Sequence, residues 1–412
     1  MEPERKLREF SVGGLHSTRW VQWDAPGRFF HPSSLEHDHV ELVTDVRKLA
    51  VLRANAIGDY LVSLPALEAL RAAYPQAELM LLGAGWHAGF LAGRPGPVDR
   101  CLPVPATVGV RDDQPPAPPA AVERFFAQMR TERFDLAVQF QGGGRHSNPF
   151  LRRLGARVTA GSQAPDAPPL DRTVPYTLYQ HEIHRFLEVA AVVGATPVTL
   201  EPRLQVTAAD RAEAAATLAT DDRPLVVLHP GAHDSRRRWP VERLTVVGSE
   251  LARKGARLAV VGTAAEQPLA DRLLATLEGE AADLTGRLGL GGLAGLLEQA
   301  TVLVGNDSGP RHLAAAVGTA TVAVHWGVSL GSYGPLYRAR HRAPTAWRLH
   351  CPVCGVNGLK QDCRSSHHAS FVADVTTDEV LAEALDLLAT ESARGQRPDD
   401  RAPALRCLRG EG

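Results

Sequence analysis

The sequence predicts an α/β protein built as two doubly wound parallel-sheet domains that face a cleft. Three observations carry this prediction. From Lys48 onward, short apolar runs alternate with longer stretches of helical period, the signature of βα units rather than of hairpins. Residues 196–208 show neither period and divide that alternation into two halves. Polar, glycine-bearing turns recur just after the apolar runs, at the strand ends where open parallel sheets bind ligands.

Residues 1–47 are polar, carry histidines and aromatics without period, and read as an extension rather than a domain. An apolar strand follows at 48–53, a helix at about 59–73 that stops near Tyr74-Pro75, and a strand at 78–82. Eight prolines from Pro95 to Pro119 make the next stretch mostly loop. A helix at about 120–131, strands at 135–140 and 157–161, and an amphipathic helix at about 180–193 complete the first half. The second half reads as helix 209–219, strand 225–229, helix 241–254, strand 257–262 and helix 266–277. Helix 291–299, strand 301–304, helix 310–317 and strand 320–325 close it. The expected organisation is therefore an extension (1–47), two domains (48–200 and 201–390) and a tail (391–412).

At 412 residues the chain has room for two or three domains. A formal net charge of −1 provides no field to recruit nucleic acid. Lysine occurs only at Lys6, Lys48, Lys254 and Lys360, so arginine carries the positive charge throughout and an arginine cluster is not by itself informative. Five cysteines are too few and too unevenly spaced for a disulfide scaffold. The opening MEPERKLREF lacks the apolar core of a signal peptide, and no run of 18 apolar residues occurs. These features lead us to expect a cytoplasmic protein with at most peripheral membrane contact.

Five segments carry chemistry. In Thr301–Ala316 a strand, a polar turn (Asp307, Ser308, Gly309) and an Ala-rich helix with Pro310 at its first position aim free N–H groups and the positive helix end at one point, an anion site. The plain alternative is a helix capped by Asp307 or Ser308. In Val51–Tyr60 a turn containing Gly58 places Asp59 at a strand's carboxyl end, where a carboxylate could take a proton from an acceptor hydroxyl or simply cap a helix. No GxGxxG follows this strand. In Leu228–Pro240 the turn at Gly231 leads to Arg236, Arg237 and Arg238, which suit a diphosphate or form a solvated basic loop. In Val260–Glu266 the Gly262-Thr263 turn precedes Glu266, which could accept from ribose hydroxyls or complement the helix dipole, and Thr285-Gly286 marks another loop at the same sheet edge. Last, Cys351, Cys354 and Cys363 with His367 could make a structural zinc site or stand as buried or redox-paired thiols.

Taken together, several segments resemble glycosyltransferase family 9, the ADP-heptose:lipopolysaccharide heptosyltransferases. They are the 55–59 turn running into Leu61-Val-Ser-Leu-Pro-Ala-Leu-Glu-Ala-Leu70, Phe134-Asp-Leu-Ala-Val-Gln-Phe-Gln-Gly142, Pro230-Gly-Ala with Arg238-Trp-Pro240, Leu284-Thr-Gly286, and Gly305–Pro310 with His312. They stand in family order over about residues 48–390. The resemblance implies the GT-B architecture, with acceptor on the N-terminal domain and nucleotide-sugar on the C-terminal one, and inverting, metal-independent catalysis. It implies Asp59 as general base, Arg237 or Arg238 on donor phosphate, Asp307 near the donor sugar, and Ser308, Gly309 and His312 around the diphosphate. Glu266 falls near the family's ribose-binding glutamate, and Gly231 and Thr263 stand on the same donor-side turns. The implied donor is ADP-heptose with no cofactor required, and the implied acceptor is a glycan, lipid-linked or small-molecule hydroxyl, including one at the inner face of the cytoplasmic membrane. The leader, the Pro-rich insert and the Cys/His segment depart from the family pattern and bear on the acceptor side. A nucleotide-sugar epimerase of the same architecture and a non-catalytic nucleotide-sugar-binding module are the rival readings.

Overall fold

The computed structural model describes residues 40–219, 221–359, 367 and 369–395. In the first half β1 (Lys48–Leu52) leads into α1 (Ile57–Leu61) and α2 (Leu64–Ala73), β2 (Glu78–Gly83) into α3 (Gly85–Leu91), and β3 (Arg100–Pro103) into α4 (Pro119–Glu132). Next come β4 (Leu136–Gln139), α5 (Ser147–Arg152), β5 (Val158–Gln163), β6 (Arg172–Pro175) and α6 (Glu182–Ala191). After α7 (Ala208–Thr217) the pattern repeats: β7 (Leu225–His229), α8 (Val241–Arg253), β8 (Arg257–Val260), α9 (Gln267–Thr276), β9 (Ala281–Asp283), α10 (Leu290–Gln299), β10 (Val302–Asn306), α11 (Gly309–Ala316), β11 (Ala320–Trp326) and α12 (Gly327–Tyr333). Two short strands, β12 (His341–Arg342) and β13 (Thr345–Ala346), and the long α13 (Thr377–Gly395) follow.

Both sheets are wholly parallel among the described pairs and wound alike. The first runs β3-β2-β1-β4-β5-β6 and the second β9-β8-β7-β10-β11-β12, with β13 also on β11. Each therefore reverses direction once, between β1 and β4 and between β7 and β10, and opens a crevice at the carboxyl ends of those strands. The apolar runs specify this burial on both faces. On β1, Leu49 and Val51 face Leu67, Leu70 and Phe186 under α2 and α6, whereas Ala50 and Leu52 face Phe126 and Phe150 under α4 and α5. Burying a single such leucine contributes about 2 kcal/mol.

Residues 196–207 connect the two halves. Leu204 N–H donates to Ala316 O at 2.9 Å, and the Thr207 hydroxyl caps α7 by accepting from Asp210 N–H. A buried ion pair fastens the junction: Arg94, after α3, donates to both Asp210 carboxylate oxygens at 2.6 and 3.1 Å and to Gln205 O at 2.7 Å.

The structure revises several expectations. The helix expected over 59–73 is two helices, because the chain breaks at Val62–Ser63, where Ser63 Oγ donates to Tyr60 O and Pro65 stands second in the next helix. The Pro-rich stretch holds an edge strand, β3, that ends on Pro103, where a missing N–H is harmless. Pro310 is the second residue of α11, not the first, and the strand before it runs on to Asn306. The last helix extends to Gly395, past the expected domain end at 390. Of the expected extension and tail, residues 1–39 and 396–412 lie outside the described residues, while 40–47 is irregular, with Val43 N–H on the Tyr74 hydroxyl at 3.1 Å.

Candidate active site

At the first switch point the chain leaves β1 through Arg53, a guanidinium only 2 % exposed. An arginine in an apolar run must be paired to be buried. Arg53 donates to Phe140 O at 2.7 Å, to Asp59 O at 3.0 Å and to Asp59 Oδ1 at 2.8 Å, and lies over the Phe186 ring. Asp59 is thus the third residue of α1, not its N-cap, and its Oδ2 reaches back to accept the Ala56 N–H at 3.2 Å. The carboxylate is 21 % exposed, and its Oδ1 also accepts the Tyr333 hydroxyl from the opposite domain at 3.1 Å. The domains touch here through glycine: a Cβ at Gly58 would meet the His312 ring at 2.9 Å, and one at Gly309 would meet Ile57 Cγ2 at 2.7 Å.

At the second switch point α11 begins without a side-chain cap, so the plain alternative for this turn, a helix capped by Asp307 or Ser308, is not what forms. The Ser308 hydroxyl is drawn away, lying 3.1 Å from His229 Nδ1 and donating to Asn306 O at 3.1 Å. Asn306 ties the turns after β7 and β10 together, accepting the Trp239 N–H at 2.9 Å and donating to Pro230 O and Gly231 O at 2.9 and 3.1 Å. Beside them Glu266 Oε2 accepts the Thr263 N–H at 2.8 Å and hydroxyl at 3.0 Å. Burial pushes this carboxyl up, but His229 and the Thr263 donors overcome it and hold it at about 2. A side chain at Gly231 would overlap Glu266 Oε1, so the Glu266 carboxylate can hold this position only beside a glycine. These groups line a cavity of about 680 Å³ that includes Arg238, Thr263, Glu266 and Ser308 to Pro310, an apolar wall of Leu284, Leu288 and Leu293, and Ala56 and Ile57 from the first domain. Its size and its mix of apolar wall and converging polar groups suit a small-molecule ligand.

Behind the cavity Asp307 is a buried hub. Its Oδ1 accepts from Arg311 at 2.7 Å and lies 3.5 Å from His325 and 3.8 Å from His312; its Oδ2 accepts the Ser329 hydroxyl at 2.8 Å and lies 3.8 Å from Arg237. Burial alone would raise this carboxyl, but the His325, Arg311 and His312 groups reverse the effect and hold it ionised well below the usual carboxylate range. Arg311 Nη2 is also 3.0 Å from His312 Nε2. A guanidinium can only donate, so the His312 proton sits on Nδ1. Burial and Arg311 keep that ring neutral.

Two further histidines make stability depend on pH. Burial lowers His87 to about 3 and His325 to about 4, in each case against an opposing interaction. Between the unfolded value near 6.5 and these folded values, the unfolded chain binds protons that the native one does not, so stability falls on acidification. Lowering the pH from 7 to 5 is expected to cost about 2 kcal/mol per ring. Urea midpoints at the two pH values measure this, and equal midpoints would show the rings to be ordinary solvated histidines.

Residues 122–345, more than half of the chain, match the family model described as Glycosyltransferase family 9 (heptosyltransferase). The chain belongs to glycosyltransferase family 9. Lipopolysaccharide heptosyltransferase 2 of Salmonella typhimurium is similar at 24% identity, over 84% of this chain and 99% of that protein, and its Escherichia coli namesake is also 24% identical, over 84% and 100%. Among solved structures, the family 9 glycosyl transferase of Veillonella parvula superposes with a TM-score of 0.70 at 18% identity, covering 85% of this chain and 99% of that one. The E. coli ADP-heptose lps heptosyltransferase II superposes with a TM-score of 0.65 at 21% identity, covering 84% and 99%. The two like-wound sheets are the two domains of the GT-B fold.

Within this family 9 fold the candidate residues divide among three places. Arg238, Thr263, Glu266, Ser308 and Gly309 line the cavity, with Gly231 behind Glu266. Arg237 instead donates to Asp307 O at 3.3 Å, so Arg238 is the guanidinium on the cavity. Asp307 is 1 % exposed, and His312 faces a separate groove with Arg311 and Tyr333. Asp59 stands across from both. Sequence reasoning gave no role to Arg53, His229, Arg311 or Tyr333. The charged residues within apolar runs were a usable signal for Arg53 and Arg311, whereas nothing local marked Tyr333. Of the Cys/His segment, Cys351 is buried, Cys354 and His367 are exposed, and Cys363 lies outside the described residues. Among the described residues no three His, Cys, Asp or Glu side chains converge as metal ligands.

Proposed function

We propose that this enzyme transfers a heptosyl group from ADP-heptose to a hydroxyl of the lipopolysaccharide core, with inversion and with Asp59 as general base. The observation that carries the reading is the juxtaposition of two switch points: a partly exposed carboxylate on one, an uncapped helix N-terminus beside an arginine on the other. The names of the relatives supply the donor and acceptor classes. In this reading the adenosine lies along the Leu284–Leu293 wall, Glu266 accepts from the ribose, and the diphosphate meets the Ser308–Pro310 backbone and Arg238. Asp59 Oδ2 removes the acceptor proton, the oxygen bonds to the anomeric carbon, and the bond to ADP breaks on the opposite face. The charge that collects on the departing diphosphate is met by the α11 terminus and Arg238. Among the described residues no helix is long and apolar enough to cross a membrane, and a lipid-linked acceptor would be met at the membrane surface, on the cytoplasmic side.

Thermal shift with a panel of nucleotides and nucleotide-sugars tests the donor assignment. Stabilisation by ADP and ADP-heptose, and not by uridine nucleotides, is expected; selective stabilisation by a uridine donor would overturn it. Gly231→Ala is expected to displace Glu266 and weaken ADP binding by about tenfold, the loss of one good hydrogen-bonded contact. Unchanged ADP affinity, read by calorimetry, would remove Glu266 from the donor site.

A further inference from the structure

The short helix α12 joins the two carboxylates of the cleft. At its start the Ser329 hydroxyl donates to Asp307 Oδ2 at 2.8 Å. At its end the Tyr333 carbonyl accepts from Arg311 at 2.7 Å, the same Nη2 that donates to Asp307 Oδ1 at 2.7 Å. Asp307 therefore grips α12 at both ends, directly and through Arg311. The Tyr333 side chain leaves this anchored end, crosses the domain boundary edge-on to the His312 ring, with centroids 6.2 Å apart, and donates its hydroxyl to Asp59 Oδ1 at 3.1 Å.

The arrangement fixes which oxygen of Asp59 does chemistry. Oδ1 is occupied by two donors from different domains, Arg53 at 2.8 Å and Tyr333 at 3.1 Å. Oδ2 accepts a single backbone N–H, from Ala56 at 3.2 Å, and keeps acceptor capacity for a substrate hydroxyl. Without the tyrosine hydroxyl the carboxyl group is held only by Arg53 and Ala56 of its own domain, on a χ2 that is a broad and weakly restricted torsion. Burial and the neighbouring Asp59 charge raise the Tyr333 phenol above its ordinary value, so it remains a donor.

We propose that Tyr333 is a positioning residue for the transfer reaction: its hydroxyl, carried across the cleft by a helix anchored on Asp307, holds Asp59 Oδ1 so that Oδ2 faces the acceptor. The proposal rests on the reading of Asp59 as general base. It makes the orientation of the base depend on the donor-side domain being in place, so that proton removal is competent only in the closed cleft.

Tyr333→Phe removes one oxygen and leaves the ring against His312. With ADP-heptose as donor and truncated lipopolysaccharide as acceptor, kcat is expected to fall about tenfold, as for loss of one charge-assisted hydrogen bond. The donor KM and the thermal shift given by ADP are expected to stay at wild-type values. In the Asp59→Asn background the same change is expected to have no further effect on residual turnover, because the group it orients is gone. A wild-type kcat in Tyr333→Phe, or a raised donor KM at unchanged kcat, would overturn the proposal. So would full additivity of the two substitutions. If Asp59→Asn itself retains wild-type kcat, it is the base assignment that fails, and the two failures are distinct.

Discussion

Asp59→Asn is expected to lower kcat by about a thousandfold, within the range that a general base contributes. ADP should still raise its melting temperature. The separation is possible because the substitution leaves the fold nearly intact. The asparagine carbonyl can take the Oδ1 place and accept from Arg53 and Tyr333, and Arg53 keeps its bonds to Phe140 O and Asp59 O. What is lost structurally is the negative charge beside a buried guanidinium that keeps its carbonyl acceptors, about 2 kcal/mol, as for a hydrogen bond to a charged group. What is lost chemically is the ability to take a proton, because a neutral amide is not a base at neutral pH. The measurement is ADP release under saturating donor and acceptor. A variant that turns over within fivefold of wild type would show the carboxylate to be a turn organiser and nothing more.

Asp307→Asn acts through the opposite balance. The carboxylate is 1 % exposed and faces Arg311, whose side chain is 4 % exposed. Removing the negative charge leaves the guanidinium buried among neutral acceptors alone, the new amide oxygen, the Tyr333 carbonyl and the His312 ring. Stripping one member from a buried pair is expected to cost about 3–5 kcal/mol. Because the folded carboxyl lies well below its ordinary range, its contribution is complete above the unfolded value near 4 and lost only as the pH falls far below it. The penalty should therefore be the same at pH 6 and pH 8, unlike the wild-type decline assigned to His87 and His325. Denaturant midpoints for both proteins at both pH values check this. A penalty below about 1 kcal/mol would show that Arg311 finds its counter-charge elsewhere.

The strands and turns of this fold were legible because they are local. Runs such as 225–229 and 320–325 need burial on both faces whatever their neighbours, and Gly-bearing turns at their ends announce a parallel sheet. Elements with weak local signals escaped. The edge strands β3 and β6 carry prolines and polar residues, and α12, Gly-Val-Ser-Leu-Gly-Ser-Tyr, has the composition of a loop. The break between α1 and α2 hides inside one continuous apolar period. In the site, the turns could be read one at a time, but their connections could not. Tyr333 and Asp59 are 274 residues apart, and no spacing rule links them. Burial of Asp307 likewise follows from His325 on β11 and Ser329 on α12 joining Arg311, and the first two lie outside the strand-turn-helix motif.

The Arg94–Asp210 pair has a mechanical consequence. It lies in the interior at the junction, two-pronged, and Asp210 also holds the Thr207 N–H that starts α7. The connecting segment is thus riveted to both halves near its end and is not a slack tether. Any opening of the crevice must swing about that rivet, so the far lips travel while the junction stays still. Tyr333 and Asp59 sit on the moving arc: a few degrees of swing would part them and draw Ala56 and Ile57 away from the cavity, while the lining that comes from the second domain stays together. A two-domain enzyme hinged in this manner opens by uncovering its pocket on one side only, with most of the lining kept together on the second domain.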